Sequence, residues 1–417
     1  MRSPRICCLD LDTFFVSVER LLNPELIGKP VVVGGRLGSR GVVTAASYEV
    51  RTYGVHSGMS IVEASRLAPH AVFIPGTHGV YSGYTTRVRE VLERYTPEVR
   101  TASIDEFYLD FSGCERLYRR PEHGDDDATI EATVRDMRQA IQRDVSLPAS
   151  AGIGVSRRIA KMASRRAKPA GVYMVRCGEE WSFLAPQPVR AFPGIGPSTE
   201  SRLQSAGIDT LGQLMTLPPG PRRSRFSGLA ESVRAAAERR DRLGRERPAF
   251  REHGQFGSTL GSISNGCTFA EDIRDPSSVE THLLGLVDRV SWRARKRGVL
   301  ARTVTLTLRY ADFDTITRSR TGPATAETER LRATVVDLFR KNRTRRMAVR
   351  MVAVAVSNLV QPRPQLSLPL GAEPAPVSQA IDAVRSKHGF DAIKVGSTGG
   401  LRFHRTGIAP PAVASKT

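Results

Sequence analysis

The segment Ile6-Cys-Cys-Leu-Asp-Leu-Asp12 predicts a short buried strand that ends in carboxylates, because an apolar run leads directly into the acidic residues. A second apolar segment, Ser103-Ile-Asp-Glu-Phe-Tyr-Leu-Asp110, is interrupted by the adjacent pair Asp105-Glu106. Adjacent side chains of a strand point to opposite faces. We therefore predict a tight hairpin at this pair, which brings both of its carboxylates toward Asp10 at the end of a neighbouring strand.

Three carboxylates that are crowded together repel one another unless a cation neutralises them. Mg²⁺ prefers octahedral oxygen ligands and keeps places open for water and phosphate. Two such ions, about 3.5–4 Å apart, can stabilise both the attacking and the leaving oxygen of a phosphoryl transfer. The alternative is that Asp10, Asp105 and Glu106 are ordinary strand-end carboxylates that cap backbone groups or face solvent. Spacing alone leaves both interpretations open.

The composition indicates a globular protein with polyanionic partners. Of its 417 residues, 40% are hydrophobic and 25% are charged, which excludes wholesale disorder and suggests two to four domains. The 62 Lys and Arg residues outnumber the 42 Asp and Glu residues, so the net charge is +20 and the pI is about 10.5. Such a surface favours nucleic acid as the partner.

No apolar run approaches the ~20 residues that cross a bilayer, and the opening Met-Arg-Ser-Pro lacks the apolar region of a signal peptide. We therefore expect a soluble cytoplasmic protein, associated with the nucleoid, that does not bind membranes. The five cysteines are odd in number and never form Cys-x-x-Cys, which argues against a disulfide framework or a structural zinc site.

The chain divides by composition and periodicity into successive regions. Seven basic residues and no acid occur over 156–176, which extends the positive surface. Within the first region, strands are predicted near 30–34 and 41–46 and a helix over 81–95. The regions themselves are an α/β unit (1–174), a helical region (185–240), a charged linker (239–252), a second α/β unit (253–360) and a Pro/Gly/Ala-rich tail (361–417) with one short helix near 377–388.

Two motifs have the residue types that bind phosphate. Tyr48-Glu-Val-Arg51 places an aromatic and a guanidinium on one face of a helical turn, and the guanidinium fork matches phosphate oxygens. Lys168, in Ala-Lys-Pro-Ala-Gly, can add a point charge to the same phosphates. The alternative for the first motif is a surface helix with one arginine. The alternative for Lys168 is that it is one of many surface lysines.

The stretch Phe192-Pro-Gly-Ile-Gly-Pro-Ser-Thr-Glu-Ser-Arg-Leu-Gln-Ser-Ala-Gly-Ile208 is typical of a helix–hairpin–helix. Its Gly194 and Gly196 open a helix whose free N–H groups can bind a DNA phosphate, while Leu203 and Ile208 supply the hairpin core. The alternative is an unspecialised turn between two helices.

Together these motifs resemble those of the Y-family translesion DNA polymerases, and are most similar to the bacterial polymerase IV class. They occur in the family's order and span about residues 5–360. The matching segments are Asp10-Leu-Asp-Thr-Phe-Phe-Val-Ser-Val-Glu19, Tyr48-Glu-Val-Arg51, Ser103-Ile-Asp-Glu-Phe-Tyr-Leu-Asp110, Ala151-Gly-Ile-Gly-Val-Ser156, Ala167-Lys-Pro-Ala-Gly171 and the 192–208 hairpin.

The resemblance implies a mixed α/β fold shaped like a right hand, with palm, small fingers, a helical thumb and a C-terminal α/β little finger. It implies a low-fidelity polymerase that transfers a nucleotide from dNTP to a primer 3′-hydroxyl, releases pyrophosphate and has no proofreading exonuclease. The implied boundaries are palm (1–12 and 79–174), fingers (13–78), thumb (175–241), linker (242–252), little finger (253–360) and tail (361–417).

The same resemblance assigns roles to single residues. Asp12 and Asp110 belong to the motifs but are given structural roles. Two Mg²⁺ ions, for which Mn²⁺ can substitute, are expected on Asp10, Asp105, Glu106 and the Leu11 carbonyl, and the incoming triphosphate on Tyr48, Arg51 and Lys168.

Sugar selection is expected at Phe15, as the steric gate beneath the incoming deoxyribose. If Phe14 and Phe15 continue the strand, they face opposite sides, so only one of them can join the core. The other must then face a cleft.

The segment Gln365-Leu-Ser-Leu-Pro-Leu370 resembles the short motif by which bacterial polymerases bind the sliding clamp. Its Gln365, Leu366, Leu368 and Leu370 suit an extended anchor in an apolar groove. The expected partners are therefore primer-template DNA, dNTP and the clamp, with the chain itself a monomer.

Two positions depart from the family pattern. Ala45 replaces a frequent phosphate-contacting Thr, unless Thr44 substitutes, and Ser47 replaces a frequent Asn. Two rival functions also stay open at this point. One is a non-catalytic, polymerase-shaped factor that docks partners on the clamp, and the other is a structure-specific nuclease that uses the same carboxylates.

Overall fold

The computed structural model describes residues 4–217, 226–238, 261–362, 376–394 and 396. The chain divides between Glu252 and His253 into two compact units. The predicted linker at 242–252 and the candidate clamp motif at 365–370 lie outside the described residues. Within the described ranges, no helix combines the length and the apolar character that a bilayer span requires.

The first unit is a mixed α/β fold in which short strands and helices alternate. In chain order, its described elements are β1 (Ile6–Leu11), α1 (Phe14–Leu22), β2 (Val31–Val33), β3 (Ala45–Ala46), α2 (Tyr48–Arg51), α3 (Ile61–Leu67), β4 (Val72–Ile74), α4 (Tyr81–Leu92), β5 (Val99–Thr101), β6 (Glu106–Asp110), α5 (Glu115–Tyr118), α6 (Asp126–Val145), β7 (Ala149–Gly154), α7 (Arg157–Arg166), β8 (Val172–Met174), α8 (Glu180–Leu184), α9 (Pro197–Gln204), α10 (Leu211–Met215) and α11 (Ser227–Glu238).

A five-stranded sheet forms the centre of this unit, with strand order β5-β6-β1-β7-β8. The central strand β1 is antiparallel to both of its neighbours, whereas β8 runs parallel to β7. One face packs against α4 and α6, whose buried side chains include Val88, Leu92, Ile130 and Met137. The predicted burial of Ile6–Leu9 is confirmed, since each of these residues is at most 1% exposed.

Helix α7 covers the opposite face of the sheet at very close range. A Cβ at Gly152 would lie only 2.0 Å from the Ser164 nitrogen and 2.2 Å from the Ala160 carbonyl oxygen. Both of those atoms belong to the backbone of α7, so any side chain at position 152 would push the helix away. The absence of a side chain at Gly152 therefore lets α7 approach β7.

The region between β1 and α4 contains a small sheet with strand order β3-β2-β4. The predicted strand over 41–46 is shorter than expected, because only Ala45 and Ala46 pair with β2. Val42 instead forms an isolated bridge with Ser60. The helix predicted over 81–95 ends at Leu92, because the chain then tightens into a turn in which Tyr95 N–H donates to the Leu92 carbonyl at 3.0 Å.

The described residues from Glu180 to Glu238 are helical, as predicted, and share one apolar core. Helices α8, α9, α10 and α11 contribute to it together with the turns between them. Its largest members are Phe183, Leu184, Phe192, Leu203, Leu211, Leu214 and Phe226.

The second unit is also α/β, as predicted. Its sheet has the strand order β11-β10-β12-β9, with every pair antiparallel. The core lies between this sheet and the two long helices. The elements are β9 (Ser262–Ile273), α12 (Pro276–Lys296), β10 (Leu300–Tyr310), β11 (Thr315–Thr325), α13 (Thr328–Asn342), β12 (Val349–Val360) and α14 (Pro376–His388).

The short helix predicted in the tail is α14, and it lies against α12. Asp382 accepts two hydrogen bonds from the Arg295 guanidinium, at 2.6 and 2.9 Å. Beyond α14, the Phe390 ring lies 5.4 Å from the Trp292 ring of α12, measured between centroids. Arg385 is 4% exposed and lies over the same Phe390 ring at 4.2 Å. This part of the tail is therefore packed onto the second unit.

Candidate active site

The hairpin between β5 and β6 brings the acidic pair to the end of β1. Asp10 and Glu106 are directly paired residues in the antiparallel register of β1 and β6. The Leu11 N–H donates to the Asp105 carbonyl at 2.9 Å, which holds the turn against the end of β1. Side chains of directly paired residues emerge on the same face of a sheet. The three predicted carboxylates therefore come from one strand end and the neighbouring hairpin.

Two lysines neutralise this acidic group. Lys168 forms an ion pair with Asp10, and Lys161 forms one with Glu106. Burial raises the pKa of the Asp10 carboxyl, Lys168 lowers it, and the charges of Asp105 and Glu106 raise it further. The three carboxylates are thus close enough to influence one another, and the lysines offset their repulsion.

The donor set suits a hard divalent cation, since all three side chains offer carboxylate oxygens. In the described part of the chain, however, no three His, Cys, Asp or Glu side chains already converge as a metal cage. Asp105 accepts a hydrogen bond from Ser103, and the other two carboxylates are held by the lysines. A bound cation would therefore take over the neutralising role of the ammonium groups.

The predicted phosphate-binding pair lies on α2, one helical turn long. Ser47 caps this helix, and the Arg51 guanidinium lies over the Tyr48 ring, 5.1 Å from its centroid. Arg51 is exposed and donates from Nε to the Ala46 carbonyl at 3.0 Å. The predicted shared face of Tyr48 and Arg51 is therefore present, and the remaining guanidinium N–H groups of Arg51 are placed at the surface.

The two departures from the family pattern have distinct surroundings. The exposed Thr44 donates its hydroxyl to the Val33 carbonyl at 2.9 Å, so this group is engaged by the main chain. Ala45 is buried in β3. Ser47 is fully buried, and its hydroxyl accepts from Val31 N–H at 3.1 Å. Ser47 therefore connects α2 to β2 in addition to capping the helix.

Asp12 has a larger role than the sequence indicated. It is 2% exposed and accepts hydrogen bonds from the Tyr48 hydroxyl at 3.1 Å, from the Ser150 hydroxyl at 2.8 and 3.0 Å, and from Ala170 N–H at 2.8 Å. Ala170 is two residues beyond Lys168. One buried carboxylate thus joins α2, β7 and the loop after α7, which contains Lys168. The only sequence signal for this role is the Asp-x-Asp spacing at the end of β1.

Phe14 and Phe15 do not extend β1, because they form the first turn of α1. Successive helical residues also diverge, by about 100°. Phe14 is 3% exposed and belongs to the core, whereas Phe15 is only partly buried. The expectation that only one ring is fully buried is met, although the reason is a helix rather than a strand.

The helix–hairpin–helix glycines lie at the start of α9. Gly194 has φ of 103°, a left-handed conformation that favours glycine, and Gly196 is the N-cap of the helix. No heavy atom lies within 4 Å of a Cβ built at either residue, so this turn is open. Leu203 and Ile208 are buried, as the motif requires. The arrangement suits backbone N–H donation to an anion.

Family models match most of the chain. The impB/mucB/samB family model matches residues 9–165, and the model of its C-terminal domain matches residues 261–370. Between them, the IMS family HHH motif matches residues 179–208. The matched ranges include the three carboxylates, α2 and the glycine turn, whereas Lys168 lies between the first two ranges.

Similar proteins agree with these models. DNA polymerase IV of Dehalococcoides mccartyi (strain CBDB1) is 38% identical over 397 residues, covering 94% of this chain and 97% of that protein. DNA polymerase IV of Alkalilimnicola ehrlichii is 35% identical over 366 residues, covering 87% and 98%. DNA polymerase IV 2 of Mesorhizobium japonicum is 35% identical over 409 residues, covering 93% and 92%.

Solved structures show the fold. A Y-family DNA polymerase chimera has a TM-score of 0.72 at 24% identity, over 86% of this chain and all of that chain. The insertion ternary complex of Dbh DNA polymerase has a TM-score of 0.55, also at 24% identity and with the same coverage. The predicted right-hand fold, with palm, small fingers, helical thumb and little finger, is confirmed. The chain therefore belongs to the impB/mucB/samB family, which comprises the Y-family DNA polymerases.

Proposed function

We propose that this chain is a template-directed DNA polymerase that copies past damaged bases and has no proofreading exonuclease. The observation that carries the proposal is the direct pairing of Asp10 with Glu106, beside Lys168, in a chain that is 38% identical to a DNA polymerase IV. Its reaction joins the primer 3′-hydroxyl oxygen to the α-phosphorus of a dNTP and releases pyrophosphate. Primer-template DNA and dNTP are accordingly its substrates.

The site belongs to a palm formed by residues 1–12 and 79–174, which includes the five-stranded sheet. The other proposed divisions use the elements described above. They are fingers at 13–78 with the small sheet, a thumb at 175–241 with α8 to α11, a linker at 242–252, a little finger at 253–360 and a tail at 361–417.

Polymerases of this family depend on divalent metal ions. We assign two Mg²⁺ ions, replaceable by Mn²⁺, to Asp10, Asp105, Glu106 and the Leu11 carbonyl. The all-oxygen donor set and the shared negative charge around Asp10 support this assignment. When bound, the ions would stabilise charge that develops on the attacking and leaving oxygens.

The side chains of this unit bind and orient the nucleotide. Tyr48, Arg51 and Lys168 bind the triphosphate, the first two from α2 and the third from the loop after α7. Burial, followed by the charge of Asp12, raises the pKa of the Tyr48 phenol, so this group stays protonated and can donate a hydrogen bond. Phe15 is the steric gate that excludes a 2′-hydroxyl.

The protein holds DNA mainly through contacts to its phosphate backbone, and the N–H groups at Gly194 and Gly196 of the thumb make some of these contacts. The net charge of +20 supports a binding free energy dominated by counterion release. The log of affinity should therefore fall with log salt by about 0.9 per phosphate contact, with weak sequence preference. Binding that hardly changes with salt would contradict this assignment.

Primer extension with Mg²⁺ tests the main proposal. Asp105→Asn and Glu106→Gln should abolish nucleotide addition and leave primer-template binding nearly intact. A suitable control is Glu93→Gln, because Glu93 is an exposed carboxylate at the C-terminal end of α4 that pairs with Arg89. Near-normal extension by either site variant would refute the metal assignment, and shortening of the labelled primer would indicate a nuclease.

The segment Gln365–Leu370 is proposed to bind the sliding clamp through Gln365, Leu366, Leu368 and Leu370, with the polymerase as a monomer. Its sequence pattern and its position after the last strand of the second unit support this proposal. Deletion of 365–370 should spare distributive synthesis on short primers and abolish stimulation by the clamp. Loss of clamp-independent synthesis would show instead that the segment is required by the fold.

A further inference from the structure

Glu19 is a buried acid of the first unit that the proposed mechanism does not use. It lies one turn after Phe15 on α1 and is 7% exposed. Its carboxylate accepts from Thr77 N–H at 2.6 Å, from the Thr77 hydroxyl at 3.2 Å and from the Tyr81 hydroxyl at 2.5 Å. These three donors are uncharged, so the carboxylate is held by hydrogen-bond geometry.

The Tyr81 hydroxyl fits closely into this arrangement. A Cβ at Gly76 would lie 2.7 Å from the Tyr81 hydroxyl oxygen and 2.8 Å from a methyl of Val33. Gly76 also has φ of 82°, which favours glycine. The absence of a side chain at Gly76 therefore leaves the space that the Tyr81 hydroxyl occupies.

The Tyr81 ring in turn supports Phe15. Their ring centroids are 4.2 Å apart and the planes are inclined by 19°, so the rings are stacked. His78 meets both rings edge-on, at 6.4 Å from Phe15 and 5.7 Å from Tyr81. Phe15 is only partly buried, and Tyr81 belongs to the core against which it packs, so this stacked contact fixes the plane of the Phe15 ring.

We propose that Glu19 is a positioning residue for sugar selection, which acts through Tyr81 on the Phe15 ring. The inference rests on the proposed function of Phe15 as steric gate. A gate that rejects one hydroxyl group works only if its ring cannot move aside, since displacements of about 1 Å at a reacting site can cost 100-fold. Glu19 prevents that movement by holding the hydroxyl of the supporting ring.

The test measures the ratio of kcat/KM for dCTP to that for CTP, opposite template guanine, in single and double variants. Tyr81→Phe keeps the stacked ring and removes the hydroxyl, while Glu19→Gln keeps the shape and removes the charge. Each should lower the ratio about 3- to 10-fold, as expected when one hydrogen bond of ordinary strength is lost. Most of the change should be a lower KM for CTP.

Phe15→Ala should lower the same ratio much further. Adding Glu19→Gln to Phe15→Ala should then produce no additional loss, because residues that act through one another are not additive. Glu180→Gln is the matched control, since Glu180 is also buried and accepts from Gly178 N–H at 2.8 Å, in α8 of the thumb region. Its ratio should equal that of the unsubstituted protein, even if its thermal stability falls.

The possible results distinguish the steric-gate assignment of Phe15 from the positioning role of Glu19. If Phe15→Ala leaves the ratio intact, the steric-gate assignment is wrong. If Phe15→Ala lowers it but Tyr81→Phe and Glu19→Gln do not, the gate stands and the role of Glu19 is refuted. A Glu19→Gln effect that persists in the Phe15→Ala background would also refute it, because Glu19 would then act by another route.

Discussion

Asp10 in the first unit and Asp288 in the second are both carboxylates whose pKa is raised mainly by burial, but the neighbouring charges differ. Around Asp10, two further carboxylates reinforce the increase and the Lys168 ammonium opposes it. Around Asp288, the guanidinium groups of Arg332 and Arg385 both oppose it. The first acid therefore has an excess of negative neighbours, and the second has an excess of positive ones.

The chemistry of the partners differs in the same direction. A lysine ammonium is a point charge on a flexible stem, whereas an arginine guanidinium is a planar group with a fixed fork of donors. In the proposed site, Lys168 would leave Asp10 when a metal ion binds there. Arg332 donates to Asp288 at 2.6 Å and both side chains are largely buried, so this pair is held by packing. Asp10 is therefore placed where its cationic partner can be exchanged, whereas Asp288 is placed where its ion pair supports the fold.

The largest expected effect is on catalysis and comes from Asp10→Asn. Nucleotide addition should fall by roughly a thousandfold, since several kcal/mol of charge stabilisation is lost with a proposed metal ligand. Stability should hold or rise, because repulsion with Asp105 and Glu106 is reduced. Single-turnover extension and urea unfolding measure the two effects. A variant that remained active, or that unfolded much more easily, would remove the contrast with Asp288.

Asp288→Asn should have the opposite effect, with normal extension by the folded protein and a loss of about 3–5 kcal/mol of stability in the second unit. The loss follows because two buried guanidinium groups lose their shared carboxylate. The fluorescence of Trp292 in α12 reports unfolding of this unit once Trp181 in α8, the only other tryptophan of the sequence, is replaced by Phe. Asp337→Asn is the control, because Asp337 pairs with Arg320 and Lys341 at the surface. Equal losses from both variants would contradict the prediction.

Asp12→Asn should fall between these extremes. Asp12 is buried and accepts hydrogen bonds from uncharged donors, with the Lys168 ammonium 3.8 Å from its carboxylate, so its role is to orient Tyr48 and the loop that contains Lys168. Steady-state kinetics should show KM for dNTP raised about tenfold, the equivalent of one charge-assisted hydrogen bond, with a smaller change in kcat. Ser150→Ala, which removes one donor, should show a weaker effect of the same kind. A fall in kcat at constant KM would instead assign Asp12 to the chemical step.

The smallest expected effect concerns Asp382 on α14. Its bidentate pair with Arg295 is partly exposed, so Asp382→Asn should lower the stability of the second unit by about 1 kcal/mol. Trp292 fluorescence in urea measures this change, because Trp292 lies beside Phe390 of the same segment. Lys387→Gln, at an exposed position of the same helix, should have no comparable effect. If the two variants behave alike, α14 does not contribute through this pair.

The sequence predicted features whose causes are local. The apolar run before Asp10, the break at Asp105-Glu106 and the helical pattern over 81–95 each determine an element from neighbouring residues. The hairpin that pairs Glu106 with Asp10 followed from strand alternation alone.

Features that depend on distant residues could not be predicted from the sequence. The donors to Asp12 come from residues that are 36, 138 and 158 positions away. The pairing of Lys161 with Glu106 spans 55 positions, and one basic residue among seven gives no signal for it. The helical start of α1 was mistaken for a strand because two aromatic residues after an apolar run suit either conformation.

Gly152 determines how far the two lysines reach. Because α7 rests directly on the backbone of β7, the separation of these two layers sets how far Lys161 must extend from α7 to meet Glu106, and where the loop with Lys168 leaves the helix. A single methyl group added at position 152 would push α7 away from β7. The ammonium group of Lys161, and with it the loop that contains Lys168, would then move away from the carboxylates. Gly152→Ala should therefore lower nucleotide addition through this displacement of α7, although none of the residues proposed to contact the nucleotide has changed.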